Sequence, residues 1–140
     1  MKREVGPMQA MDMMKTMNGM SMPDMDMKMM QDCIEACSAC MQACTMCADQ
    51  MAGMSDMGMC AGICMNCADM CDTMMRAMLR PMGMTNMLVR TMLQACMAMC
   101  EACMTECRSH AEMSETCRMC ADACEACMRA CHDMMESMPA

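Results

Sequence analysis

Residues 117–131 read Cys117-Arg118-Met119-Cys120-Ala121-Asp122-Ala123-Cys124-Glu125-Ala126-Cys127-Met128-Arg129-Ala130-Cys131. The cysteines recur at steps of 3 and 4, which average 3.5 residues, the period that keeps one stripe on one face of a packed helix. Ala, Met, Glu, Asp and Arg fill the positions between, and most of these favour helix. The same rule organises three earlier blocks: Cys33, Cys37, Cys40, Cys44 and Cys47; Cys60, Cys64, Cys67 and Cys71; Cys96, Cys100, Cys103 and Cys107. Each block predicts one helix with a cysteine seam.

Caps and breakers place the boundaries. Ser21-Met22-Pro23-Asp24 has the form of a capping box, Ser55 stands before the second block, Pro81 and Gly83 follow it, Thr85 precedes the third, Ser114 the fourth, and Pro139 closes the chain. The expected helices are 22–52, 56–80, 86–109 and 115–137, with a short helix near 7–18 between Pro7 and Gly19. Short connections make neighbours antiparallel, so the fold class is all-α: an antiparallel four-helix bundle with a Cys-lined core over 22–140, preceded by a Met-rich N-terminal arm over 1–21.

Composition explains why the core must be sulfur. The 140 residues suit one domain, yet they include 36 Met and 18 Cys, no aromatic residue, and only seven Leu, Ile and Val. A fully buried leucine-sized side chain contributes roughly 1.5–3 kcal/mol, and seven of them fall far short of the ordering entropy of such a chain. Cysteine and methionine are soft and readily buried. The net charge of −8, with Lys and Arg scattered, argues against a nucleic-acid surface. No run of about 18 apolar, uncharged residues is present, so no membrane span is expected, and Met1 to Pro7 does not lead into a secretory h-region. The expectation is a cytoplasmic protein, or an exported one if a leader has been removed.

A disulfide scaffold fits the seams poorly. Residues at i,i+3 and i,i+4 have Cβ atoms about 5–6 Å apart, whereas a disulfide needs about 3.5–4.5 Å. Thiolates and thioethers select Cu(I), zinc or iron–sulfur clusters. Zinc knuckles and iron–sulfur motifs are mostly loop-borne and isolate sets of four ligands, which a continuous helical seam does not. A four-thiolate zinc site carries −2, costly when buried, while Cu(I) and thiolate at one to one is neutral. If each ion takes two thiolates and each thiolate bridges two ions, the capacity is about one Cu(I) per cysteine. That is a storage stoichiometry, and no acid, base and substrate pocket suggests an enzyme.

Extending the seams reaches thioethers: Met51 and Met54 after the first block, Met57 before the second, Met74 and Met78 after it, Met92 before the third, Met113 before the fourth, and Met134 and Met138 after it. Met51, Met54, Met57 and Met113, with His110 near the last turn, join the eighteen cysteines as candidate metal ligands at the bundle ends. His132, adjacent to Cys131, should point away from the seam. Residues 8–30 hold eleven Met, including Met11-Asp12-Met13 and Met25-Asp26-Met27, a pattern suited to a Cu(I)-collecting arm.

With Cys33-x-x-x-Cys37-x-x-Cys40-x-x-x-Cys44 and the 117–131 block, residues 30–135 resemble the bacterial copper storage proteins. The resemblance implies a bundle filled with Cu(I), assembly as a homo-oligomer, often a tetramer, and an entrance with Met or His ligands at one end. The methionine load departs from the family. A copper chaperone with one or two exposed ions, exchanging copper with donor or acceptor proteins, and a metallothionein-like thiolate detoxifier of zinc or cadmium are the alternatives.

Overall fold

A computed structural model describes residues 7–16 and 24–139. It contains five α-helices: α1 (Pro7–Lys15), α2 (Met27–Ala52), α3 (Gly58–Met78), α4 (Asn86–Arg108) and α5 (Glu115–Ser137), with a 3-10 turn at Pro81–Gly83. No strand occurs among the described residues. Helix α2 packs on α3 and α5, and α4 packs on the same two, which closes an antiparallel four-helix ring; α1 lies against α2.

Local chemistry sets the helix starts. Asp26 caps α2, its carboxylate accepting from the backbone N–H of Lys28 (2.9 Å) and Met29 (3.1 Å). The helix therefore starts at Met27, later than the expected 22, because the Asp26 carboxylate is the acceptor that meets its first free N–H groups; Ser21, Met22 and Pro23 lie outside the described residues. Thr85 caps α4 through the Leu88 N–H (3.2 Å), and Ser114 caps α5 through the Cys117 N–H (3.1 Å). Ser55 does not cap α3. Asp56 takes the left-handed conformation at φ 64°, and α3 begins two residues later, with Met57 at the cap position and no side-chain acceptor. The third helix begins at 86 and the fourth spans 115–137, as their caps imply, while the second ends at Met78 and the third at Arg108. The short first helix ends at Lys15, and Gly19 falls outside the described residues.

Two polar ties hold the end of the bundle where α2 starts. Asn86 Oδ1 accepts from the Asp24 N–H (2.9 Å). Arg90 donates to the carbonyls of Met138 (3.3 Å) and Pro139 (2.8 Å), satisfying orphan acceptors at the C-terminus of α5 with a cation, the sign the helix dipole favours there. By length and composition α4 is apolar enough to cross a membrane. Its hydropathy comes from methionine, cysteine and alanine, and its Val89, Leu93, Cys96, Cys100, Cys103 and Cys107 stripe is buried in the bundle. Among the described residues no buried side-chain nitrogen or oxygen lacks a hydrogen-bond partner.

Candidate metal centre

All eighteen cysteines are buried free thiols. Because all four seams keep the same period, helices facing one another bring cysteines level. Along α2 and α5 the pairs are Cys33 with Cys131 (Sγ···Sγ 3.8 Å), Cys37 with Cys127 (3.6 Å), Cys40 with Cys124 (3.8 Å), Cys44 with Cys120 (3.6 Å) and Cys47 with Cys117 (3.9 Å). Every step up α2 is matched by an equal step down α5. Across α3 and α4, Cys64 faces Cys107 (3.6 Å) and Cys103 (3.7 Å), while Cys100 lies 3.8 Å from Cys67 and 3.7 Å from Cys71.

These separations are far beyond the roughly 2.05 Å of a disulfide. They suit a soft ion instead. With metal–sulfur bonds of about 2.3 Å, the zinc value, an ion equidistant from three sulfurs needs them about 4.0 Å apart, within a few tenths of the observed spacing. A two-coordinate linear site needs about 4.6 Å on the same bond length, which requires a further small outward movement.

The sulfurs form sets of four whose members all lie within 4.8 Å of one another: Cys37, Cys96, Cys127 and Cys131; Cys40, Cys71, Cys100 and Cys127; Cys40, Cys44, Cys67 and Cys124; Cys44, Cys103, Cys120 and Cys124; Cys47, Cys64, Cys107 and Cys120. Each set shares a member with the next. Cys127 joins the first two, Cys40 the second and third, Cys44 and Cys124 the third and fourth, and Cys120 the last two. A bridging ligand at every junction is the arrangement a chain of metal ions requires, and isolated sites do not.

Proton sharing accompanies this packing. The S–H of Cys131 holds the Cys33 thiol down to about 5, and contact with Cys100 holds Cys40 low. Cys44 is pushed up by its hydrogen bond with Cys103. At the end of the bundle that carries the 53–57 and 109–114 connections, burial itself pushes Cys47 up, and pushes Cys60 up to about 12. Those thiols keep their protons at neutral pH, so a bound soft cation must displace them.

The ends of the seam differ. At the connection end, Met51 is fully buried with its Sδ accepting from the Cys117 thiol (3.5 Å), and Met57, at the cap position of α3 three residues before Cys60, is buried. His110 is half-buried, its Nε2 3.5 Å from a Glu106 carboxylate oxygen. Met54 is exposed, and Met113 is 72% exposed, so neither continues the seam in this structure. The reason is that α2 stops at Ala52, before Met54, and α5 begins only at Glu115, after Met113, so neither residue lies on the helix whose period was extended. His132 is exposed between Asp133 and Glu136, away from the core.

At the opposite end Met30, Met74, Met78 and Met134 are fully buried, and Met138 nearly so. There α4 contributes Leu93 and Val89, and Met92 is only partly covered. Met11 and Met14 of α1 are buried and belong to the core cluster. Sequence reasoning missed Met30, whose signal was its place three residues before Cys33.

Residues 26–136 match the family model described as copper storage protein. No curated relative matches the chain. Among solved structures, the chain is similar to the copper storage protein of Streptomyces lividans loaded with 10 copper equivalents, at 36% identity and a TM-score of 0.85, covering 92% of this chain and 99% of that one. A single histidine-to-alanine variant of the Streptomyces lividans protein matches at 39% identity and a TM-score of 0.78, covering 81% and 98%. The Streptomyces lividans cytosolic copper storage protein with five coppers matches at 39% identity and a TM-score of 0.77, covering 80% and 96%.

Proposed function

Because this chain belongs to the copper storage protein family, we propose that its eighteen seam cysteines hold Cu(I) as cargo, at about one ion per thiolate. Copper binding and storage is the function that follows from the family; the ligand set and the stoichiometry are this reading's own. The observation that carries it is the overlap of the four-cysteine sets, in which five thiols, Cys40, Cys44, Cys120, Cys124 and Cys127, each belong to two sets. Shared thiolates let a positive ion be balanced along the whole seam, so that the buried cluster stays near neutral. In this reading the ions are stored, and the chain performs no catalysis.

Met51, Met57 and His110 stand at the connection end beside Cys47, Cys60 and Cys117, and the reading assigns them a weaker-binding mouth. A neutral thioether or imidazole there passes an ion on to the thiolates. Met54 and Met113 would serve as outer capture points, since both reach solvent. The N-terminal arm, residues 1–21, collects Cu(I) through its remaining thioethers, Met13 among them; Met11 and Met14 are occupied in packing. Deleting residues 8–20 should slow copper loading, and unchanged kinetics would remove the arm from the reading.

The likeness to a cytosolic relative favours a cytoplasmic location, and the family resemblance favours a homotetramer that exchanges copper with donor and acceptor proteins; sedimentation of the loaded protein tests the assembly. The decisive experiment is an anaerobic titration of reduced protein with Cu(I) against a competing chelator. A plateau near one ion per cysteine is expected. A plateau at one or two ions would favour a chaperone. Equal preference for zinc or cadmium would favour a general detoxifier, which the four-sulfur sets would serve by ligand number.

A further inference from the structure

Seventeen of the eighteen cysteines have no exposed surface, and the remaining one, Cys120, shows 1%. That small opening lies in a groove of about 340 Å³ between α2 and α5, lined by Ala43, Met46 and Gln50 on one side and Thr116, Met119 and Cys120 on the other. Met46 and Met119 are 64% and 58% exposed. The α2/α5 register places them opposite each other at the level of the Cys44–Cys120 and Cys47–Cys117 pairs. Exposed methionines are common on this surface, but this pair flanks a groove whose lining includes a cysteine of the store. Ala43, next to Cys44, keeps the groove open by its small side chain.

Cys120 is also the junction between two four-cysteine sets, one with Cys44, Cys103 and Cys124 and the other with Cys47, Cys64 and Cys107. An ion arriving there has bound sulfur partners in both directions along the seam. Two thioethers facing each other at a surface form a soft, uncharged, low-affinity site for a d10 cation.

We propose that Met46 and Met119 form a lateral Cu(I) capture site that delivers ions to Cys120 in the middle of the seam, independently of the bundle end. The inference rests on the storage reading above. Copper remains Cu(I) throughout: its bonds to the two thioether sulfurs break, a bond to Cys120 Sγ forms, and the thiol proton leaves through the groove to water. Net charge in the core is unchanged by the exchange of one proton for one monovalent ion.

The test is the double variant Met46→Leu/Met119→Leu, which keeps the apolar volume and removes both sulfurs. Loading from a coloured Cu(I) chelate is followed anaerobically by stopped flow, alongside wild type and the mouth variant Met51→Leu/His110→Ala. The lateral variant should load on the order of tenfold more slowly, as when a capture step loses about 1.4 kcal/mol, with an unchanged plateau and melting temperature. Wild-type loading rates in the lateral variant would overturn the proposal while a high plateau left the storage reading standing; a wild-type plateau of one or two ions would instead end the storage reading. As a second measurement on unaltered apoprotein, a small methylthiolating reagent followed by peptide mapping should modify Cys120 before the other seventeen thiols. First modification elsewhere would overturn the access route.

Discussion

Replacing Cys44 and Cys124 together by alanine separates a bridged copper chain from a row of isolated sites. These two thiols are shared by the third and fourth four-cysteine sets, and Cys44 lies 3.8 Å from Cys40, 3.8 Å from Cys124, 3.9 Å from Cys103 and 3.6 Å from Cys120. In a bridged, charge-balanced store each lost thiolate removes one monovalent ion, so capacity falls from about 18 to about 16, a ninth of the total. In a store of isolated sites, eighteen cysteines fill at most four separate four-thiolate sets, and the variant destroys whichever set needs these residues. That loss is a quarter or more of the sites. The remaining sulfurs, Cys40 with Cys67 and Cys103 with Cys120, still support two-coordinate Cu(I) but not a tetrahedral ion.

The cost to the metal-free fold is modest. Each Cys→Ala leaves a void about the size of a methyl group, roughly 1 kcal/mol, so the apoprotein should lose about 2 kcal/mol and melt several degrees lower. Copper per chain is counted by anaerobic titration and elemental analysis after desalting. A drop of a quarter or more, or a plateau of about four ions in the unaltered protein, would refute the bridged arrangement.

Other consequences are more local. Because burial pushes Cys60 up to about 12 and Cys47 up as well, while an unfolded thiol ionises near about 8.5, apoprotein stability should be whole below about pH 8.5 and decline as pH rises toward 12; copper loading removes those protons, so urea midpoints of the loaded protein should lack the decline. Ser114→Ala should cost the apoprotein about 1 kcal/mol by removing the α5 cap, whereas Ser55→Ala should be silent, both read from urea unfolding. Met57→Ser, at a buried site, should cost roughly 1.5–3 kcal/mol, while Met113→Ser should stay within about 0.5 kcal/mol, again by denaturant midpoint.

The seam was legible from residue spacing because period and chemistry coincide at the same positions. A 3.5-residue repeat fixes which face is buried, and only cysteine occupies that face through the central turns, so spacing alone places Cys33 to Cys131 in the core. Helix α5 was read at 115–137 because Ser114 is the first capping side chain before the seam and its hydroxyl makes the bond that this role requires. The start of α2 was less legible, since Ser21, Asp24 and Asp26 are all competent caps by residue type and only the folded backbone selects Asp26. Ser55 misled for a related reason: the turn through Asp56 in the left-handed region moves the helix start past it.

The misplaced methionines follow one physical rule. Met113 and Met92 come from extending a helical period ahead of the first cysteine of a block. At Met113 the helix has not yet begun, and at Met92 the buried stripe has passed to Leu93 and Val89. Extrapolation along one helix is sound only while that helix continues and its neighbour stays in register. The groove at Cys120 depends on the second condition alone. Met46 and Met119 belong to separate blocks, each one residue before a seam cysteine, where a single helix reads as merely a surface position. Their meeting is created by the antiparallel register of α2 and α5, which the pairing of Cys44 with Cys120 sets and which no local pattern encodes.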